Sequence, residues 1–248
     1  MNVSWTEKQK ENHEKAARIL ERIKDNAFNF IRKNKDIDEL TARNFIVSEF
    51  EKNGLVRDKD PPIVAFHENT GEVHYFADEK RNKKLGDSGL ILLDIWAKLP
   101  GKNGMFADIT WMGFKGNEIP KEIRESWNFV KEARELALDF LRNELKNCRI
   151  PLGKEVDDIV RNFFKKKGVL ENFKHSTGHS LGEEVHWIYP YLDKRSVVMP
   201  LLKNMGYTIE PGLYFQEKYG IRSEVDFYID DKNELIITSE IQRDIVRI

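Results

Sequence analysis

The sequence predicts an α+β fold built from two similar halves. Two long segments, at about residues 5–33 and 120–147, carry apolar residues at helical spacing. Each long segment is followed by a shorter helical one that stops at a glycine, and each half then continues into strands that include an acid-bearing hairpin. The order long helix, short helix, glycine, hairpin therefore occurs twice.

The repeat also sets the expected domain organisation. A chain of 248 residues can fold as one large domain or as two small ones. The two shorter helical segments align at an offset of 114 residues, which pairs Gly54 with Gly168. We therefore expect a single domain over residues 1–248, composed of pseudo-repeat halves at about 1–115 and 116–248.

In the first half, the long helix is predicted at about 5–33, with His13 on its polar, solvated side. A shorter helix follows at about 41–53 and ends at a glycine cap. Apolar runs bounded by turn residues predict four strands, at 63–66, 73–76, 89–98 and 105–114.

The second half follows the same plan. A helix is expected at 120–147, opened by a proline, and a shorter one at 154–167. A histidine-rich segment comes next, and its glycines predict strand and tight turn rather than helix. Residues 206–215 and 220–229 predict a second hairpin, and a last strand is expected at 235–238.

Four acids occupy matching positions in the two hairpins. Asp94 and Asp108 are 14 residues apart, as are Glu210 and Glu224, and the two pairs are offset by 116 residues. An even separation places both side chains of a hairpin pair on one face of the sheet, at cross-strand pairing distance. Carboxylates that converge in an apolar site cannot all stay ionised without cations. The pattern therefore predicts two divalent metal ions.

Four of the six histidines are candidates for the same chemistry. His175, His179 and His186 fall within twelve residues, and His74 lies in the first half. Histidine suits both metal binding and proton transfer near neutral pH. Oxygen ligands with a single imidazole favour Mn, Co, Fe or Zn over a soft metal. Two such ions can share and activate a water, which predicts hydrolysis.

Composition excludes several other classes of function. The net charge of −1 gives no electrostatic reason to expect nucleic acid or an anionic membrane as a partner. A single cysteine, Cys148, allows no internal disulfide and suits a reducing compartment, so we expect a cytoplasmic protein. Hydrophobic runs fall short of the ~18 residues that a membrane span needs.

Six short motifs, taken in order, are highly specific. They are Leu-Asp at 93–94, Ala-Asp-Ile-Thr at 107–110, Gly-His-Ser-Leu-Gly at 178–182, Val-His at 185–186, Ile-Glu-Pro-Gly-Leu-Tyr at 209–214 and Gly-Ile-Arg-Ser-Glu at 220–224. Together they resemble the pita-bread metallopeptidases, which include methionine aminopeptidase, Xaa-Pro aminopeptidase and prolidase. The resemblance covers nearly the whole chain. It implies two pseudo-symmetric αβ halves with a curved antiparallel sheet covered by helices.

The resemblance also implies a ligand set for two metal ions. The five implied ligands are Asp94, Asp108, His179, Glu210 and Glu224. Asp108 and Glu224 would bridge the ions, with Asp94 serving one ion and His179 the other. Glu210 would double as the base that acts on the attacking water.

Within this family, two features resemble the Xaa-Pro branch. His175 lies four residues before the implied ligand His179, and His74 is followed by a tyrosine, as in Xaa-Pro members. The resemblance implies that His74 and His175 face the proline side and that His186 meets the scissile carbonyl or the tetrahedral intermediate. Arg222, with Tyr214, would orient the ligands.

The expected function is hydrolysis of the Xaa-Pro bond by attack of a metal-bridging hydroxide. The substrate would be a short peptide with proline at P1′, and manganese is the first choice among the candidate metals. A methionine aminopeptidase-like enzyme, a non-peptidase enzyme on the same scaffold, and a non-catalytic binding module are the alternatives. The N-terminal domain of many Xaa-Pro enzymes is missing, so the chain is a free-standing lobe or a fragment. A homodimer is left open.

Several residues depart from the family pattern. Trp96, Trp111 and Trp187 stand where the resembling enzymes usually carry a small residue, an arginine and an acid, respectively, and Val225 replaces a common aspartate. None of these changes removes an implied ligand. The tryptophans are expected to be either core residues or walls of the substrate pocket.

Overall fold

The computed structural model describes residues 3–248, and within that range the chain forms four α-helices and ten strands. The helices are α1 (Glu7–Lys33), α2 (Glu39–Lys52), α3 (Lys121–Lys146) and α4 (Gly153–Lys166). The strands are β1 (Ile63–Phe66), β2 (Gly89–Ala97), β3 (Ala107–Lys115), β4 (Ser180–Leu181), β5 (Gly206–Ile209), β6 (Gly212–Phe215), β7 (Tyr219–Arg222), β8 (Val225–Ile229), β9 (Leu235–Ile237) and β10 (Val246–Arg247).

All four predicted helices are present, with ends within two residues of the predicted ones. The start of α1 is fixed by a capping box in which the Thr6 side chain and Gln9 satisfy each other's backbone N–H groups. Gly54 and Gly168, which follow α2 and α4, have φ of +66° and +74°. These left-handed conformations favour glycine, which explains why each short helix stops there.

The first half contributes three strands to a sheet that is buried on both faces. β1, β2 and β3 are antiparallel neighbours, and β10 joins β3 in parallel. Along β2 the odd-numbered residues belong to a core cluster shared with α1 and α2, whereas the even-numbered apolar residues belong to a second cluster shared with α3 and α4. Asp94 is even-numbered, so its carboxylate faces the second half of the chain.

The second half contains one long hairpin that is interrupted in the middle. β5 pairs with β8 and β6 pairs with β7 in the same antiparallel register, while β4 and β9 extend the β5–β8 sheet on either side. The register that joins Ile209 to Val225 and Gly212 to Arg222 places Glu210 opposite Glu224. Both glutamates lie in the gap between the two ladders.

The two acid pairs differ in register. On the sheet of the first half, Asp94 is opposite Thr110, and Asp108 is opposite Trp96. Asp94 and Asp108 therefore share a face, as predicted, but are offset diagonally by two residues instead of being directly opposed. The pair formed by Glu210 and Glu224 has the predicted direct opposition.

The predicted strand at 73–76 is wrong. Residues 67–71 form a 3₁₀ turn, and the chain after it runs without a sheet partner. This stretch is held by side chains instead, because buried Glu39 accepts hydrogen bonds from the Tyr75 hydroxyl at 2.6 Å and from the Phe66 N–H at 2.6 Å. The histidine-rich segment keeps only the two-residue strand β4 and turns around it.

The expectation that His13 is solvated is also wrong. Its side chain is fully buried, with Nδ1 2.8 Å from the Phe106 carbonyl and Nε2 2.7 Å from the Thr238 hydroxyl. Burial lowers the pKa of His13 to about 4, so the imidazole is neutral at pH 7. His13 joins α1 to the loop before β3 and to the C-terminal segment.

We expect His13→Ala to destabilise the protein by about 2–4 kcal/mol, because it leaves a cavity and two buried groups without partners. Chemical denaturation monitored by circular dichroism measures the change. Lys15→Ala is the control, because Lys15 is an exposed residue of the same helix and its replacement should change stability by less than about 0.5 kcal/mol. Equal effects of the two substitutions would contradict the structural role of His13.

Across residues 3–248, no helix combines the length and apolarity needed to cross a membrane.

Candidate active site

A cavity of about 570 Å³ lies between the acid-bearing strands of the two halves. Eight of the nine predicted site residues line it: His74, Asp94, Asp108, His179, His186, Glu210, Arg222 and Glu224. The ninth, His175, lies next to this group, with Nδ1 4.0 Å from the Glu210 Oε2 atom. The fold thus brings residues from both halves into one site.

The centre of the cavity is a compact group of three buried residues. Ligand atoms from Asp108, His179 and Glu224 all lie within 4.8 Å of one another. Glu210 borders this group, since its Oε1 atom is 3.4 Å from the His179 Nε2 atom. His179 Nδ1 lies 3.2 Å from the Ser180 carbonyl, and a proton held there leaves Nε2 free to bind a cation.

Two carboxylate oxygens in this group support a cation site. Within the described residues, Asp108 Oδ1 and Glu224 Oε1 are buried and have no hydrogen-bond partner. Each residue's other oxygen is close to a polar group: Glu224 Oε2 accepts a 2.8 Å bond from Thr110, and Asp108 Oδ2 is 3.8 Å from His179 Nε2. Buried carboxylate oxygens without partners are costly, and divalent cations would satisfy them. The donor set therefore fits hard or borderline metal ions.

The pKa values of the buried carboxyl groups also indicate a site that needs cations. Burial, followed by the nearby carboxylates, raises the pKa of Asp108 and of Glu224 well above the ordinary values. Burial also raises the pKa of Glu210 to about 7, although Arg222 opposes the shift. Without cations these groups hold their protons to a higher pH than free carboxyl groups do, and bound metal would displace those protons.

Asp94 stands apart from the three-residue group. One of its oxygens, Oδ2, is ion-paired with Arg222, and both residues are buried. Arg222 is itself fixed by Nε donating to Thr110 at 3.0 Å and by an NH1 bond to the Tyr214 hydroxyl at 3.1 Å. The ion pair with Arg222 sets the orientation of the Asp94 side chain, which also lines the cavity. As a metal ligand, Asp94 would bind the ion while Oδ2 remains paired with Arg222.

The other three histidines surround the acids in different ways. His175 Nε2 is 2.8 Å from the Tyr214 hydroxyl, which ties it to Arg222. The His186 ring is 4.0 Å from that of His179, centroid to centroid, and is nearly perpendicular to it. Burial lowers the pKa of His175 to about 3, and partial burial in the cavity lowers the pKa of His74 and of His186. All three imidazoles are therefore neutral near pH 7 in the metal-free protein.

Sequence reasoning missed Asp226, which lies behind the site. Its Oδ2 atom accepts a 2.8 Å hydrogen bond from the backbone N–H of Asp108 and is 4.0 Å from His13 Nε2. Asp226 is fully buried on β8, two residues from Glu224 and therefore on the same side of the chain. That spacing was the available signal in the sequence.

The three tryptophans have separate environments. Trp96 lines the cavity. Trp111 points to the opposite face of β3, where the Lys24 ammonium lies 3.7 Å from its ring centroid. Trp187 is partly buried and packs so closely over Gly182 that a Cβ at that position would lie 2.4 Å from the indole ring. Of the three, only Trp96 contributes to the wall of this cavity.

We expect Arg222→Lys to lower kcat for the expected peptide hydrolysis by about 10–100-fold. The guanidinium of Arg222 joins Asp94, Thr110 and Tyr214, and a lysine ammonium cannot make all three of these contacts. Steady-state kinetics together with metal content per chain measure the effect. Arg243→Lys, at an exposed site, is the matched control. Activity within twofold of the parent would contradict an orienting role.

Comparison with known proteins gives a consistent result. Residues 11–231 match the model of Metallopeptidase family M24. An uncharacterized peptidase of Methanocaldococcus jannaschii is 31% identical over 220 residues, which are 85% of this chain and 57% of that protein. The Xaa-Pro dipeptidase of Pyrococcus horikoshii is 28% identical over 246 residues, 99% of this chain and 65% of that protein.

A solved structure confirms the predicted α+β pita-bread fold. X-Pro aminopeptidase from Thermotoga maritima aligns with a TM-score of 0.83 at 27% identity, covering 100% of this chain and 65% of that one. This chain spans less than two thirds of the length of each of these proteins. Since the family model covers most of the chain and the fold agrees, the chain belongs to Metallopeptidase family M24.

Proposed function

We propose that the protein hydrolyses the peptide bond before proline in short peptides, using two divalent metal ions held by Asp94, Asp108, His179, Glu210 and Glu224. The observation that carries the proposal is the cluster of Asp108, His179 and Glu224, whose ligand atoms lie within 4.8 Å of one another in a cavity that also contains Glu210 and Asp94. When bound, a pair of such ions lowers the pKa of a shared water so that it can attack a carbonyl.

The protein's own groups supply the rest of the chemistry. Glu210 lines the cavity, with its Oε1 atom 3.4 Å from the His179 Nε2 atom, and is proposed to accept a proton from the attacking water. Cleavage before proline expels a secondary amine, whose nitrogen must gain a proton as the bond breaks. His74 and His175 are proposed to face that nitrogen and to relay to it the proton that Glu210 accepts from the water, and His186 is proposed to donate a hydrogen bond to the carbonyl oxygen. Arg222 fixes the position of Asp94 through their ion pair.

The same proposal covers the domain organisation, the identity of the metal and the location of the protein. Residues 1–248 are proposed to act as one domain with halves at about 1–115 and 116–248. Manganese is proposed as the metal, with Co, Fe and Zn as the alternatives. The single cysteine, Cys148, is consistent with a cytoplasmic location.

The test is a side-by-side assay of Ala-Pro, Ala-Pro-Pro-Ala and Met-Ala-Ser, after loading the chelator-treated protein with Mn²⁺, Co²⁺, Fe²⁺ or Zn²⁺. Hydrolysis of the proline peptides, with two metal ions per chain by elemental analysis, supports the proposal. Preferential cleavage of Met-Ala-Ser would support the methionine aminopeptidase alternative. Hydrolysis of Ala-Pro that persists after the metal is removed would rule out the proposed mechanism.

A comparison of the two proline peptides separates a dipeptidase from an aminopeptidase, because only the aminopeptidase cleaves Ala-Pro-Pro-Ala efficiently. Absence of bound metal under every loading condition, with no hydrolysis of any peptide, would favour a non-catalytic binding module.

A further inference from the structure

Trp96 occupies a defined position beside the predicted metal ligands. It lies on β2, two residues after Asp94 and on the same face, and it is directly opposite Asp108 on β3. Directly opposed residues of antiparallel strands have Cβ atoms about 4.5–5.5 Å apart. The indole therefore lies beside both carboxylates, and it lines the cavity that contains them.

The indole lies in the row of paired residues next to the one that Arg222 contacts. Along β2 and β3, Asp94 pairs with Thr110 and Trp96 pairs with Asp108, so the two pairs form successive rows across the sheet. Arg222 binds at the Thr110 row, since its Nε donates to the Thr110 hydroxyl. Arg222 in turn leads through Tyr214 to His175. Trp96 therefore lies one row farther than Asp94 from Arg222 and from the His175 group that we assign to the proline side.

The Trp96 indole is a buried apolar part of the cavity lining. Ile63 on β1 is directly opposite Asp94 and also lines the cavity, as do Phe76 and Val185. Trp96 itself is only 8% exposed, so its ring has little freedom to move aside. Within residues 3–248 its Nε1–H has no hydrogen-bond partner. Trp96 thus offers a rigid apolar surface to a cavity whose lining also includes the charged residues Asp58, Lys59, Asp60 and Glu184.

From this geometry we propose that Trp96 limits the size of the residue that precedes proline, so that the protein prefers Gly-Pro and Ala-Pro over Leu-Pro and Phe-Pro. The inference rests on the proposed Xaa-Pro hydrolysis and specifies its substrate class. A rigid wall discriminates by steric exclusion, and a difference of one methylene in an apolar pocket changes kcat/KM by about 10–200-fold. We expect the parent protein to prefer Ala-Pro over Phe-Pro by at least about 10-fold.

The test measures kcat/KM for Gly-Pro, Ala-Pro, Leu-Pro and Phe-Pro with the metal-loaded protein and with Trp96→Phe, Trp96→Leu and Trp96→Ala. The preference for Ala-Pro over Phe-Pro should fall stepwise as the side chain shrinks, by about 10-fold or more in total. Trp111→Phe is the matched control, because Trp111 packs on the opposite face of β3 and should leave the ratio unchanged.

Two further measurements distinguish a loss of folding or of metal binding from a change in substrate preference. Each variant's melting temperature and metal content are measured, and if Trp96→Ala does not fold, the comparison rests on the Phe and Leu variants. A ratio that stays constant across folded variants overturns the inference alone. A parent protein that cleaves Phe-Pro as well as Ala-Pro also overturns it. Failure of the metal-loaded parent to cleave the four dipeptides and Ala-Pro-Pro-Ala overturns the proposed function together with this inference.

Discussion

Glu210→Gln is expected to lower kcat on Ala-Pro by about 10²–10⁴-fold, the usual contribution of a positioned general base. Glutamine has nearly the same shape as glutamate but cannot accept the proton of the attacking water. Glu210 is placed for that task, because it lines the cavity and its Oε1 atom is 3.4 Å from the His179 Nε2 atom, which is a proposed metal-binding nitrogen.

The interpretation of this substitution requires that metal binding be measured separately. Glu210 is also a proposed ligand, so the variant's metal content per chain must be determined and the assay repeated at saturating metal. Glu118→Gln, at an exposed position, is the matched control and should retain full activity. A Glu210→Gln variant that binds two metals and keeps more than half of the parent's kcat would exclude Glu210 as the base.

Much of the site could be predicted from the sequence because it depends on parity and spacing. The even separations of the hairpin acids correctly predicted that each pair shares a face, and the structure places all four acids in one cavity. The register could not be predicted in the same way. Both pairs have the same separation of 14 residues, yet Glu210 and Glu224 are directly opposed whereas Asp94 and Asp108 are offset by two residues. Register depends on the geometry of the connecting turn, which spacing does not specify.

The errors occurred where hydrogen bonds to distant residues decide the structure. His13 has the spacing of a polar helix position, yet its ring bonds to Phe106 and Thr238, which are 93 and 225 residues away. The segment at 73–76 has the composition of a strand, but Tyr75 bonds to Glu39 in α2 instead of joining a sheet. Local periodicity carries no information about such partners.

Raised carboxyl pKa values also predict how the metal-free protein responds to pH. Asp108 and Glu224 have folded-state pKa values well above their ordinary values, mainly through burial. Their stabilising contribution is fully present below the unfolded pKa and is lost as pH rises through the folded pKa. Between the two values, each carboxyl that stays protonated costs about 1.4 kcal/mol of stability per pH unit. For a protein of this size that corresponds to a fall in Tm of about 3–6 °C per pH unit.

The measurement is best made between pH 6.5 and 8.5. Below that range neutral His13, whose pKa is lowered to about 4, contributes in the opposite sense, because its stabilisation is lost as pH falls below 6.5. Differential scanning calorimetry of the chelator-treated protein should show Tm falling as pH rises above 6.5, until the folded-state pKa values of these carboxyls are passed. Asp108→Asn removes one titrating group and should flatten the slope, whereas Asp231→Asn, in an exposed turn, should not change it.

Metal should reverse this dependence, because cations bind the deprotonated carboxylates. At a free metal concentration 100 times Kd, binding adds about 2.7 kcal/mol to stability for each independent site, and the gain should be larger at pH 8.5 than at pH 6.5. Titration calorimetry in two buffers of different ionisation enthalpy should detect proton release on binding. A flat Tm profile without metal, combined with metal uptake that releases no protons, would mean that the buried carboxylates are neutralised in some other way, and the proposed metal site would then be wrong.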